Sequence, residues 1–273
     1  DLGFTLDENL VNLYLEGDGT VLIVYDMTFT CDPDADPITD VDIGMPNSSY
    51  DLAYTRAWID GVELSNITRS PYVNPGVAFG LGSHAIRPGK TGTLHVEAPV
   101  QDMFYQDSED EEYASIEFVP HYYGSEYVHG TTRLEVTFHF PPGVTEEEPR
   151  YHKLQFSYAG FDDQERAFYT WTNDSASGSK AYTYGASFPK KYLAEGVVQK
   201  PPAFNINFGS LCSSPVLWCA LVGGGMLGLS VLGGASQKRR KMQYLPPSLG
   251  VEGTGIKRGL TAVEAAILLE APL

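Results

Sequence analysis

Residues 9–30 read NLVNLYLEGDGTVLIVYDMTFT, and the spacing of their apolar side chains decides the fold. Val11, Leu13 and Leu15 recur at every second position, and after Gly17-Asp18-Gly19 the same period carries Val21, Ile23 and Tyr25. Period two puts successive side chains on opposite faces of an extended backbone, and Gly-Asp-Gly provides the freedom for a tight turn. Residues 9–16 and 20–30 are therefore expected as two antiparallel strands. Further strands are expected over 42–45, 53–64 (folded into a hairpin at Asp60-Gly61), 77–79, 92–97 and 113–119. In 132–140, TRLEVTFHF, alternation places Leu134, Val136 and Phe138 on one face before Pro141-Pro142-Gly143 ends the run. Segments 154–158, 166–173 and 181–185 complete the pattern. Nothing in this region keeps a helical period, so residues 1–200 are expected as one mainly β domain, an antiparallel β-sandwich of two sheets.

Residues 215–235, PVLWCALVGGGMLGLSVLGGA, are of another kind. They carry no charge, and as a helix would span about 31 Å, the apolar thickness of a bilayer. Lys238, Arg239, Arg240 and Lys241 follow almost at once, a one-sided basic anchor that places the cytoplasm after the span. The expectation is a single transmembrane helix over 215–237, a connector over 201–214 before it, and a basic cytoplasmic tail over 238–273. Thr261 and Glu264 form a capping box that opens a helical region in that tail. Gly224 and Gly228 make a GxxxG on one face of the span, a surface for a second helix, from a copy of this chain or from another subunit. The partners expected are thus the lipid bilayer and other membrane proteins. An exported N-terminus requires a signal that Asp1 does not begin, so a leader removed before Asp1, or numbering that starts after one, is expected. The apolar tail helix is expected to be covered either by a partner or by further chain after Leu273.

Charge follows the same division. Of the 18 basic and 35 acidic residues, the tail after the span holds a basic excess, and the exported part carries the acidity behind the net −17. Such a surface argues against nucleic acid and anionic lipid heads, and suits cationic partners or divalent ions. The 3 cysteines, Cys31, Cys212 and Cys219, offer no pair for a disulfide within the domain and no zinc site.

Few residues have the spacing of a chemical site. Asp32, Asp34 and Asp36 alternate as in a calcium loop, although the glycine and distal glutamate of an EF-hand are missing, and a solvated acidic loop is the plainer reading. Residues 107–112, DSEDEE, are a second, weaker acidic candidate. His121 and His129 flank an aromatic turn, HYYGSEYVH, with Glu126 between them, and form the best histidine set for a metal. Tyr122, Tyr123 and Tyr127 in that turn have the faces to stack on a sugar or a peptide, or else fill the rim of the sandwich. No Gly-x-Ser-x-Gly elbow occurs and no cysteine has a reactive setting, so no catalytic residue is assigned.

Several motifs together resemble the YciQ-like family of uncharacterised bacterial membrane proteins. They are Ile43-Gly44-Met45-Pro46-Asn47, Trp58-Ile59-Asp60-Gly61, Arg87-Pro88-Gly89, Phe140-Pro141-Pro142-Gly143 and Ser187-Phe188-Pro189, then Tyr244-Leu245-Pro246-Pro247 and the run from Arg258 to Ala266. The resemblance implies an exported β-rich domain, a membrane span and a cytoplasmic helical region, and it implies no activity. The expected function is a non-enzymatic, single-pass protein of the cell membrane whose acidic outer domain binds or scaffolds, as part of a larger assembly, with no cofactor beyond calcium. The alternative is a transducer coupling the outer domain to the tail, and the third is an enzyme acting on envelope polymers.

Overall fold

Turn chemistry and alternation build the first hairpin much as expected. In the computed structural model, which describes residues 2–200, β1 (Phe4–Leu15) and β2 (Val21–Cys31) pair antiparallel. At the turn the Thr20 N–H donates to the Asp18 carboxylate at 2.9 Å, and Gly19 sits at φ +96°, where a side chain would be strained. β1 begins five residues before the expected start because its apolar phase changes midway. Phe4 and Leu6 face inward, then Asn9, Val11, Leu13 and Leu15 do. The register shift between Leu6 and Glu8 absorbs the extra residue, and the Asp7 carboxylate there accepts from Thr5 (2.9 Å) and Thr30 (2.6 Å) hydroxyls.

The remaining strands are β3 (Asp40–Gly44), β4 (Arg56–Ile59), β5 (Val62–Glu63), β6 (Asn66–Arg69), β7 (Gly76–Gly80), β8 (Thr91–Val100), β9 (Tyr105–Gln106) and β10 (Tyr113–Phe118). After them come β11 (Val128–His129), β12 (Thr132–His139), β13 (Arg150–Tyr151), β14 (Tyr158–Phe161), β15 (Ala167–Ala176) and β16 (Tyr184–Pro189). Two details correct the sequence reading. The strand expected over 154–158 starts only at Tyr158, and that expected over 181–185 runs from Tyr184 through the Ser187-Phe188-Pro189 motif.

These strands form three sheets rather than two. The largest is nine-stranded, in the order β14-β15-β12-β1-β2-β8-β4-β5 with β11 beside β1. Four strands make a second sheet, β13-β16-β10-β9, and three a third, β3-β7-β6. The large sheet is mixed, not purely antiparallel: β1 runs parallel to β12, with Val11 opposite Val136 and Leu13 opposite Phe138. Alternation along 132–140 is the same for either pairing direction, so the sequence pattern carries no sign of it.

One core draws on all three sheets. Leu134, Val136 and Phe138 are buried, as their spacing predicts, together with Val21 and Ile23. Rings from different sheets meet at a tilt, Tyr25 with Phe118 (6.4 Å between centroids) and Trp171 with Tyr184 (5.7 Å), and Phe140, just past β12, meets Phe188 edge-on (5.8 Å). Residues 2–200 all belong to one compact unit. The expected span, Gly224, Gly228, the anchor Lys238–Arg239–Arg240–Lys241 and the tail helix lie outside the described residues, and no helix among the described residues is long and apolar enough to cross a membrane.

Candidate functional site

The residues singled out by spacing part company in three dimensions. Asp32 is held by His129, whose Nε2 stands 2.8 Å from its carboxylate. The preceding Cys31 thiol donates to the Asp36 carbonyl at 3.4 Å. Among the described residues no group of three or more His, Cys, Asp and Glu side chains stands where it would hold a metal ion, so Asp32, Asp34 and Asp36 are not gathered into a calcium cage. His121 and His129 do not share a site either, since His121 belongs to a different neighbourhood and Glu126 is exposed. In the acidic run 107–112, Asp107 turns inward to accept from the Ser187 hydroxyl, which His152 also contacts. This Ser-His-Asp cluster lacks nucleophile geometry, because the Ser187 proton already goes to Asp107 and Ser187 is only 2% exposed. Burial alone would raise the Asp107 pKa, but Ser187 and the N–H groups of Glu109 and Asp110 outweigh it and hold the carboxyl below its ordinary range.

The aromatic turn lies elsewhere, and there the fold makes a groove. Its N–H and C=O groups tie it down: the Phe4 N–H donates to the Tyr127 carbonyl (2.9 Å) and the Tyr123 N–H to that of Gly178 (2.9 Å). The Tyr123 ring then wedges among Phe4 (5.3 Å), Phe29 (5.8 Å) and the His121 imidazole (4.6 Å), all edge-on. Across from it runs β3 with Asp40, Val41 and Asp42, and beside β3 stand Tyr72 and Val73. The space between holds about 450 Å³, a volume typical of a small-molecule site. Tyr72, Tyr122 and Tyr127 line it while 86%, 47% and 45% exposed, large rings left in water at its mouth.

Two polar atoms at this groove lack partners. Oδ1 of Asp42 and the Tyr123 hydroxyl are both buried, and neither makes a hydrogen bond within the protein. Such an atom forfeits about 1–3 kcal/mol of hydration unless something outside the chain replaces it. Burial, with the charges of Tyr25 and Asp42 adding to it, raises the Tyr123 phenol well above its ordinary value, so it stays protonated. His121 is packed on most sides; its ring accepts the Gly44 N–H at Nδ1 (3.0 Å), while its backbone N–H donates to the Tyr25 hydroxyl (3.2 Å). Desolvation pushes its pKa down to about 4, against a smaller upward pull from the backbone of Asp42, so the imidazole is neutral at pH 7. The charged side chains lining the groove are thus Asp40 and Asp42, with no lysine or arginine among them.

Sequence reading found half of this site. Tyr122, Tyr123, Tyr127 and His121 stood out as a turn, but Asp42 read as the first residue of a strand. Asp42 alternates with the inward Val41 and Ile43, as a polar residue on the outer face of a strand ordinarily does, so nothing in the sequence marked it.

No family model matches the chain, and no curated protein matches it. Among solved structures it is similar to an M1 zinc metallopeptidase from Deinococcus radiodurans, at 12% identity and a TM-score of 0.45, over 69% of this chain and 42% of that one. A mutant M1 zinc metallopeptidase from the same organism, bound to a Tyr-Ser-Ala substrate, gives 12% and 0.45 over 68% of this chain and 43% of that one. The chain thus spans less than half the length of these structures, and at such scores no residue role passes from them to it.

Proposed function

We propose that the described domain is a non-enzymatic binding module, a three-sheet β domain carried outside the cell by a single membrane span, and that the groove between β3 and the 121–127 turn is where it binds. The observation that carries the reading is the pair of buried, unpartnered atoms, Asp42 Oδ1 and the Tyr123 hydroxyl, beside exposed aromatic rings. A protein folding for stability alone gains nothing by burying two polar groups without partners, whereas a ligand that pairs them recovers their lost hydration. The module would serve as one subunit of a membrane assembly joined through the Gly224–Gly228 face, with Lys238 to Lys241 on the cytoplasmic side.

Filling the groove tests this. Thr39 is exposed and lines it, so Thr39→Trp inserts an indole without disturbing the core. Ligand-observed NMR on the full chain in detergent, with a panel of cationic, neutral and anionic aromatic compounds, should find saturable binders whose signals vanish in the variant. Equal response of parent and Thr39→Trp to every compound would refute the reading.

A further inference from the structure

Resting on that reading, we propose that the groove selects an organic ammonium group carried on an apolar or aromatic body. The Asp42 carboxylate is an acceptor only, and its buried Oδ1 needs a donor that the chain does not supply. Lysine and arginine are absent from the lining, so the donor has to arrive with the ligand. An ammonium N–H meets that need best, because a charge-assisted bond is roughly twice as strong as a neutral one and restores charge balance as well as hydration. Tyr123 also lines the groove, and its buried hydroxyl has a lone pair free for a further donor.

The walls favour the same ligand. Tyr72, Tyr122 and Tyr127 are exposed rings in the lining, and aromatic rings attract a cation through their quadrupole and cover an apolar body. Asp40 adds a second negative charge at the groove, and His121 contributes no positive one. Anions meet repulsion there, and neutral alcohols leave the Asp42 charge unbalanced. Water is the competing occupant, since it too would pair an orphan atom.

The test compares 2-phenylethylammonium, 2-phenylethanol and phenylacetate by isothermal titration into the full chain in detergent at pH 7. The expected result is saturable binding of the ammonium, about tenfold or more tighter than the alcohol, and no binding of the acid. Asp42→Asn keeps the shape and removes the charge, and should bring the ammonium down to the affinity of the alcohol. The ratio in the parent decides whether or not that variant folds, and Tyr122→Ala, altered at an exposed ring, should weaken the ammonium several-fold with an unchanged melt. Alcohol binding equal to the ammonium would overturn this inference and leave the binding groove standing, provided Thr39→Trp abolishes both. A water-filled cleft would show no saturable ammonium binding, which overturns it as well.

Discussion

At the scale of single residues, the groove side chains sacrifice stability, and both signs of that are measurable. Tyr123→Phe removes a buried hydroxyl that no protein group satisfies while keeping its packing against Phe4 and Phe29. It should raise stability by about 1 kcal/mol in urea unfolding, where losing a satisfied hydroxyl would lower it by a similar amount. His121 makes the domain sensitive to acid. Its folded pKa of about 4 lies below the ordinary 6.5, so the unfolded chain takes up the proton first. Its contribution is complete above pH 6.5 and is lost as pH falls toward 4, to a limit of about 3 kcal/mol. His121→Gln retains an acceptor for the Gly44 N–H and does not titrate. Urea melts at pH 7 and pH 4.5 should show the parent losing more stability than this variant, and parallel losses would place the sensitivity elsewhere.

Among elements, β12 shows what period two reveals and what it hides. Leu134, Val136 and Phe138 are buried where alternation put them, so Val136→Asp buries a charge without a partner and should cost about 3–5 kcal/mol, read as a large fall in the melting temperature. An unchanged melt would mean that this face is not in the core. The parallel direction of β1 against β12 was not legible, because it depends on how the chain returns from β11 and not on the residues of either strand. The first turn of β1 was hidden for a local reason: at Asp7 the bulge shifts the apolar phase from even to odd positions, so the period cancels across it. The site divides likewise. Its aromatic turn is contiguous and stood out, whereas Asp42 lies some eighty residues away, on the strand whose Gly44 N–H donates to His121 Nδ1. The Ser187 hydroxyl, whose proton goes to Asp107, clamps β16 to the 107–112 loop. Ser187→Ala should destabilise by about 1–3 kcal/mol through the carboxylate it leaves short of a donor, and would change no activity if the cluster is structural.

On the scale of the whole molecule, charge and hydrophobicity assign different work to different parts of the chain. The acidic domain suits the outside of a cell, and the uncharged run over 215–235 followed by four basic residues suits one crossing with the tail inside. Protease added to intact cells should remove residues 1–212 and spare the tail, and a protected β domain would reverse the orientation. On the proposed topology the groove would face the surroundings, and a cationic ligand would be drawn to a chain of net charge −17. The most direct measurement is a crystal structure of the protein grown with 2-phenylethylammonium. The expected density lies in the groove, with the nitrogen within hydrogen-bond distance of Asp42 Oδ1 and the ring against Tyr72, Tyr122 or Tyr127. Density bound only elsewhere, such as beside His95 and Asp26 on the large sheet, with water alone between Asp42 and Tyr123, would contradict it.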